Sequence, residues 1–509
     1  MAEAAEKIRE LSELAVDLGR LRAAGKRIVH AHGVYDLLHP GHMRHLESAK
    51  RMGDILVVTL TEDRFVNKGP HRPAFPAELR AESVAALAAV DYVAISRSPL
   101  SLDAIRTLKP DIYVKGADYR DPEKDATGGI TKEMEVVAAV GGEVAFTDDI
   151  AFSSSSLLNR HLPFFSRETT RWLDDFRRSH RADEIAGHLD ALRGLRVLVV
   201  GEAIVDEYVS CEALGKSGKE PILAMRECLA EAYAGGALAI ANHLADIAGE
   251  VRLVTCTGPE RERATFVRDH LRPEIGATLL EWQDAPTIVK RRYVDRYFGT
   301  KLLEVYRMKD APLRAREAAA FADAVAREVA DAHVVLVADY GHGLLSPALA
   351  EQLATTARFL AANTQLNAAN TGFHTIWKYP CADFVCLHEG ELRLAFRSRT
   401  DDVRELAAEL ARRLGTRRLM VTRGSNGTLL YERDGGLVDT PALATRVVDR
   451  VGAGDAVLAL TSLCAVADVP PDVTGFLANV AGADAVASVG NSRALERLRL
   501  QRSVESLLK

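Results

Sequence analysis

Short apolar runs at 27–31, 55–61, 92–95, 112–115 and 143–146 alternate with stretches carrying apolar residues at helical spacing, at 41–52, 76–89, 102–108 and 131–140. No other feature narrows the possible folds as much. Strands that must run parallel, joined by helices that must cover the sheet, leave only a doubly wound α/β arrangement. The same rhythm resumes at Leu195, with runs at 197–200, 251–256, 334–338 and 419–422. Sheets of this kind bind ligands beyond the carboxyl ends of their strands, so the residues just after each run are the candidates for chemistry.

The chain has 509 residues, 48% of them apolar, enough for two to four domains with real cores. The two alternating stretches divide it into a first α/β domain at 1–160 and a second at 194–509. Between them, 161–193 is charged and helix-favouring, with Trp172, Leu173 and Phe176 among Arg167, Arg171, Asp174, Asp175, Arg177 and Arg178, and reads as a helical linker. Ahead of the first strand, Ile8, Leu11, Leu14, Ala15, Leu18 and Leu21 predict one amphipathic helix over 3–24. A net charge of −6 with both signs interspersed argues against a nucleic-acid or anionic-membrane partner. No apolar run approaches the roughly 20 residues of a membrane span, and the acidic start is no signal peptide, so a cytoplasmic location is expected. The six cysteines show no metal-ligand spacing and no C-x-x-C pair, so neither zinc nor structural disulfides are expected.

After the first run comes His32-Gly-Val-Tyr-Asp-Leu-Leu-His-Pro-Gly-His42. A strand ending in a Gly turn and opening a helix aims backbone N–H groups, a helix dipole and the imidazoles of His39 and His42 at one spot, which suits a phosphate. Alone, such a motif could be a helix cap. Further polar groups fall on the other strand ends: Asn67-Lys68-Gly-Pro-His-Arg72 after the second run, Arg80 on the next helix, and Lys115-Gly-Ala-Asp118 after the fourth. Ser153-Ser154-Ser155-Ser156 follows the last, as a loop or a hydroxyl-rich helix start.

These residues resemble the H-x-G-H nucleotidylyltransferase superfamily, in its sugar-phosphate and polyol-phosphate branch, and the Val114-to-Tyr119 and Gly141-to-Val144 segments resemble the transferase half of bifunctional heptose enzymes. The resemblance implies that His39 and His42 stabilise the transferring phosphate and the pyrophosphate leaving group, and that Lys68 and Arg80 neutralise charge. It places Gly33, Asp36, Ser154, Ser155 and Ser156 on the nucleotide, with Lys115 on the sugar side and Asp118 on the sugar side or at a metal. Nucleotidyl transfer needs positioning and charge stabilisation more than a protein nucleophile, which fits this inventory.

In the second half, Val197-Leu-Val-Val-Gly201 runs to Asp206, followed by Gly235-Gly236, by Thr422-Arg-Gly424-Ser-Asn-Gly427, and by Asp449-Arg-Val-Gly452-Ala453-Gly454-Asp455. Small residues at 452–454 let successive N–H groups surround an anion at a helix start, and Asp455 stands where it could take a proton from a hydroxyl. A lone Gly-x-Gly-Asp would be an ordinary turn. In this series it resembles the ribokinase-like (PfkB) sugar kinases, and no G-x-x-x-x-G-K-[ST] occurs. The resemblance implies Asp455 as base, Thr422, Gly424, Gly427 and 452–454 on the nucleotide, Asp206, Gly235 and Gly236 on the sugar, and Glu391 at Mg²⁺. Ala239 stands where heptose kinases carry Asn, with Asn242 one turn on, and His388 replaces the Asn of Asn-x-x-Glu; the kinase half also comes second, the inverse of the familiar order.

The expected protein is a bifunctional enzyme of nucleotide-sugar synthesis using ATP, with CTP as a further candidate, and Mg²⁺, acting on a sugar phosphate and a nucleoside triphosphate, and forming a homo-oligomer. A heptose 7-phosphate leads as substrate. A CDP-polyol or CDP-sugar product, or a kinase half that only binds sugar as a regulatory module, remain alternatives.

Overall fold

The computed structural model describes residues 2–66, 72–116, 120, 129–147, 165–309 and 311–509. These divide into two compact units, 1–164 together with 502–509, and 165–501.

In the first unit β1 (Ile28–Gly33), β2 (Ile55–Thr61), β3 (Tyr92–Ser96), β4 (Ile112–Gly116) and β5 (Glu143–Thr147) form one parallel sheet in the order β3-β2-β1-β4-β5. The period-two alternation of β1 sends Val29 and Ala31 to one face, against Leu46, Ala49, Ala81 and Val84, and Ile28 to the other, against Leu14, Leu18 and Leu108. Both faces are therefore covered, and the chain reverses its direction of winding between β1 and β4. That switch point opens a crevice at the carboxyl ends of these two central strands. Leu46 is fully buried in the first of these cores, so Leu46→Ala is expected to cost about 2–5 kcal/mol, read from chemical denaturation of the full chain.

The predicted N-terminal helix is broken in two, Ala2–Lys7 and Leu11–Ala23. At the break Ile8 forms a parallel bridge with Val93, and the Arg9 N–H donates to the Val93 carbonyl at 2.9 Å. β3 is the edge of the sheet, and its unpaired backbone groups take these three residues out of the helix.

Among the described residues, the second unit has two sheets. The larger contains β6 (Arg196–Gly201), β9 (Glu250–Thr257), β10 (Gly276–Glu281), β13 (Val334–Asp339), β14 (Leu360–Thr364), β15 (Phe384–His388), β16 (Arg418–Thr422), β17 (Thr428–Glu432) and β18 (Gly436–Thr440), in the order β10-β9-β6-β13-β14-β15-β16-β17-β18. It is parallel up to β16 and antiparallel beyond. Its core gathers Leu198, Val200, Val335, Val337, Phe321, Leu353, Leu392 and Leu410. The smaller sheet, β12-β11-β7-β8, is built from β7 (Ala203–Lys216), β8 (Leu223–Gly236), β11 (Ile288–Asp295) and β12 (Lys301–Arg307).

The charged segment after 161 forms helices Arg167–Ser179 and Ala182–Ala191, and it packs on the second unit. Phe176 stacks on Phe476 with ring centroids 4.7 Å apart, and the His180 ring bonds Asp472 at 2.7 Å. The apolar residues noted among its charges are the face that docks.

Candidate active sites

In the first unit, β1 ends at Gly33, where an added Cβ would stand 2.9 Å from the Tyr35 ring. Tyr35 itself has φ of 48°, a left-handed conformation costly for a bulky side chain. This turn delivers the chain to helix Pro40–Lys50, whose N-cap is His39. The His42 N–H donates to His39 Nδ1 at 3.4 Å, so a neutral His39 carries its proton on Nε2. The two rings stack with centroids 3.8 Å apart. One end of one helix thus collects two imidazoles and the first-turn N–H groups, a combination suited to a phosphoryl group in transfer.

Behind them, polar side chains fix the strand ends. His30 Nε2 bonds Thr59 Oγ1 at 2.7 Å, His32 Nδ1 bonds the same oxygen at 2.8 Å, and Thr61 Oγ1 meets His32 Nε2 at 3.2 Å. Burial, and next the neighbouring His32, push the His30 pKa down to about 3, so His30 is a neutral structural group. Lys115, at the end of β4, pairs with Glu133 at 2.8 Å, and Glu133 also accepts from Ser101 at 2.6 Å. Glu133, Thr59 and Thr61 were not picked out from sequence; a lone acid or hydroxyl inside an apolar helix or strand is the signal that would find them.

Two expected ligand contacts take other forms. Arg80 is 1% exposed, and its guanidinium donates to the carbonyls of Phe75 (2.9 Å), Val34 (2.5 Å) and Thr61 (2.8 Å) and to Asp63 (2.5 Å). Four of its five N–H groups thus hold the ends of β1 and β2 and the loops that follow them, so its first role in the structure is to clamp those loops. Asp36 is likewise engaged, accepting from the Ala74 and Phe75 N–H groups at 2.6 and 3.1 Å and pairing with Arg72 at 3.2 Å. These bonds fasten the loop after β2 to the turn after β1. Lys68, Asp118, Ser154, Ser155 and Ser156 lie outside the described residues.

In the second unit, Gly452 caps helix Ala453–Val466 with φ of 85°, and an added Cβ would fall 1.9 Å from Asn491 Oδ1, so glycine is required both for backbone and for space. The helix is buried on nearly every side, and its first turn lies beside the residue that follows the carboxyl end of β13, Tyr340. Asp455 sits in its first turn, nearly buried, and accepts from the Tyr340 hydroxyl at 2.7 Å. Burial raises its pKa to about 7, opposed by that hydrogen bond.

Asp206 pairs with Arg292 at 2.6 Å, both side chains buried. A Cβ on Gly235 would stand 2.2 Å from Asp206 Oδ2, and Gly236, at φ 59°, would meet the Glu202 carbonyl at 2.5 Å. Gly235 lets β8 pass over the Asp206 carboxylate, and Gly236 turns the chain past the Glu202 carbonyl. Glu391 accepts from the His388 and Leu366 N–H groups at 2.6 and 2.9 Å, and burial lifts its pKa to about 7, with the Asp455 charge adding to the rise. His388 still caps its helix, accepting from the Gly390 N–H at 3.1 Å, so the exchange of Asn for His keeps the turn. Asn242 faces away from this cleft, tied to the His270 carbonyl and the Arg272 N–H at 2.8 and 3.0 Å, and Ala239 is buried in the same helix. The Thr422-to-Gly427 segment is the β16–β17 turn; a Cβ on Gly427 would lie 2.0 Å from the Thr440 carbonyl oxygen, and Gly424 has φ of 58°. Lys290 and Arg292 were missed because cations in a strand read as a solvated face, and Glu202 and Tyr340 because a single polar residue just after an apolar strand reads as an ordinary turn.

A family model described as pfkB family carbohydrate kinase matches residues 195–497, more than half of the chain. The chain belongs to the pfkB family. A cytidylyltransferase-like model matches residues 30–160, ahead of the pfkB domain. Bifunctional protein HldE of Gluconobacter oxydans is 44% identical over 138 residues, 27% of this chain and 27% of that protein. HldE of Methylobacillus flagellatus is 38% identical over 163 residues, 32% of each. The chain thus spans about a third or less of the length of these curated relatives. Phosphofructokinase-2 of Escherichia coli, in complex with substrates and products, superposes with a TM-score of 0.50 at 15% identity, over 62% of this chain and 100% of that one, a likeness of fold. Both the pfkB domain and the domain ahead of it have the parallel α/β sheets expected from sequence.

Proposed function

We propose that the chain is a bifunctional enzyme of nucleotide-sugar synthesis, with a nucleotidylyltransferase domain at 1–160 and a sugar kinase domain at 194–509 joined by residues 161–193, which are helical at Arg167–Ser179 and Ala182–Ala191. The kinase phosphorylates a sugar phosphate from ATP, for which a heptose 7-phosphate is the leading candidate, and the transferase couples a sugar 1-phosphate to a nucleotide with release of pyrophosphate. The observation that carries this reading is the pairing of two separate anion sites, each at a helix N-terminus beside a proton-transfer or charge-stabilising side chain, on one chain. Relatives named as bifunctional proteins support it.

Glu391 and Asp455 are buried carboxylates with raised pKa values, a donor set suited to a hard cation. Among the described residues no three His, Cys, Asp or Glu side chains converge on one point. The fit is therefore to a Mg²⁺ carried mainly by nucleotide phosphates and water, with these two side chains at its edge; bound, it would supply charge neutralisation on the phosphoryl oxygens. Gly33, Thr422, Gly424, Gly427 and 452–454 are proposed to border the nucleotides, and Lys115, Asp206, Gly235 and Gly236 the sugars.

Pyrophosphate release by the full chain, with ATP and CTP each offered heptose, hexose and polyol phosphates, tests the transferase. Release with CTP and a polyol phosphate alone would replace the heptose reading by the CDP-product one. ADP formation with the same sugars tests the kinase. Sugar-dependent thermal stabilisation without ADP would make the second domain a regulatory module. Gly235→Ala is expected to displace Asp206 from Arg292 and raise the kinase KM for sugar about 10- to 100-fold with a smaller change in kcat.

A homo-oligomer fits the smaller sheet, where Leu223, Leu229, Phe298, Leu303 and Val305 are exposed. Sedimentation of Phe298→Asp, compared with the parent, is expected to shift toward the monomer. Among the described residues no helix is long and apolar enough to cross a membrane. Six free thiols suit a reducing cytoplasm.

A further inference from the structure

Lys290 and Arg292 lie two apart on β11, so their side chains share one face of the strand. Arg292 is neutralised twice, by Asp206 at 2.6 Å and Glu304 at 2.7 Å. Lys290 is 5% exposed, yet among the described residues no carboxylate lies within ion-pair distance of it. Its Nζ stands 5.6 Å from the centre of the Tyr340 ring, and the Tyr340 hydroxyl donates to Asp455. A buried cation without an anion is costly, and cation–π contact offsets only part of that cost.

Two residues beyond Tyr340 is His342, fully buried, with neither ring nitrogen hydrogen-bonded among the described residues. Its backbone is held in place, because Glu202 accepts from both the Tyr340 and His342 N–H groups, at 3.0 and 3.1 Å. The ring is therefore positioned by a rigid loop and left without a partner. Burial, and next the Lys290 charge, lower its pKa to about 4, so the ring is neutral near pH 7. The three N–H groups of the ammonium and the single N–H of the neutral ring have no acceptor among the described residues.

We propose that Lys290 and His342 bind the anionic substituent, a phosphate monoester, of the sugar that the kinase domain phosphorylates, and so select a sugar phosphate over a neutral sugar. The inference rests on the kinase reading given above. The transferring phosphoryl group has its own backbone site at 452–454, on the helix that carries Asp455, whereas Lys290 is paired in register with Asp206 on β7, beneath the Gly235 passage. Lys290 thus belongs to the sugar side of the cleft. A phosphate there accepts from the ammonium and the imidazole together, and the two raise each other's affinity for it.

Calorimetric titration of the full chain, as parent, Lys290→Met and His342→Gln, tests this with three probes: a heptose 7-phosphate, the same heptose without its phosphate, and inorganic phosphate. The parent is expected to bind the phosphorylated heptose more tightly than the neutral one. Lys290→Met should lose about 10- to 100-fold for the phosphorylated heptose and little for the neutral one, with His342→Gln losing less. Circular dichroism melts establish that each variant folds. Equal losses for both heptoses, or retained discrimination, overturn the proposal. If inorganic phosphate binds in a Lys290-dependent way while neither heptose binds, the anion site stands and the heptose reading falls. Lys290-independent phosphate binding overturns the site itself. A fall in kcat that is the same for phosphorylated and neutral acceptors, in the matching assay with ATP, would assign Lys290 to the phosphoryl group in transfer and also overturn it.

Discussion

Asp455→Asn is expected to lower ATP-dependent sugar phosphorylation by about 10²- to 10⁴-fold while changing ADP and sugar affinity little. The carboxylate lies in the first turn of a helix whose N-terminal N–H groups are the proposed anion site, so a hydroxyl attacking a phosphoryl group held there would be within its reach. An amide keeps the shape and one acceptor but takes no proton. Because burial raises the Asp455 pKa to about 7, the base is half protonated near neutrality. For a group that works ionised, kcat/KM falls as pH drops below that value, by about tenfold per unit. Tyr340→Phe removes a hydrogen bond that favours the ionised form, so the acid limb should move to higher pH while the alkaline plateau is largely kept. A coupled assay of the three proteins between pH 5.5 and 9, at about half-unit steps, checks both statements. If Asp455→Asn turns over near the parent rate, the residue is a helix cap and the base lies elsewhere.

The alternation that predicts both parallel sheets is a pattern of burial, and burial on two faces leaves a trace in sequence that loops cannot imitate. What a polar side chain points at leaves none. Arg80 after a strand end reads the same whether its guanidinium meets a phosphate or, as here, three carbonyls and Asp63. Asp36 sits inside the motif that most suggests nucleotide binding, yet it closes a loop through Arg72 and two N–H groups. The break at Ile8–Glu10 depends on β3 being an edge strand, a fact of topology that local spacing does not contain. The Gly235-Gly236 pair was legible only as a resemblance; its physical cause, the space needed by Asp206, appears once β7 and β8 are paired. The smaller sheet was the least legible part. β11 carries Lys-Arg-Arg among its apolar residues, and β12 exposes Leu302, Leu303 and Val305, so neither shows the buried alternation of a core strand.

His39→Ala and His42→Ala are each expected to reduce pyrophosphate release by about 10²- to 10³-fold and to leave ADP formation by the kinase nearly unchanged. His39 caps the helix through Nδ1, which accepts from the His42 N–H, and so carries an Nε2–H, while the His42 ring stacks on it with centroids 3.8 Å apart. A phosphoryl group gains negative charge on its oxygens as the bond to the leaving pyrophosphate lengthens, and donors held in place beforehand favour that state without reorganising. His39→Asn separates capping from catalysis. Asparagine is among the best N-cap residues, so this variant should restore the helix start and the melting temperature lost in His39→Ala, yet recover little of the transfer rate. Recovery of rate together with stability would mean that His39 serves the fold alone. The kinase readout on the same samples sets the scale, because the two anion sites sit on different sheets with different cores. A parallel loss of both activities in His42→Ala would mean that the two reactions share one site, and the two-site reading would then be wrong.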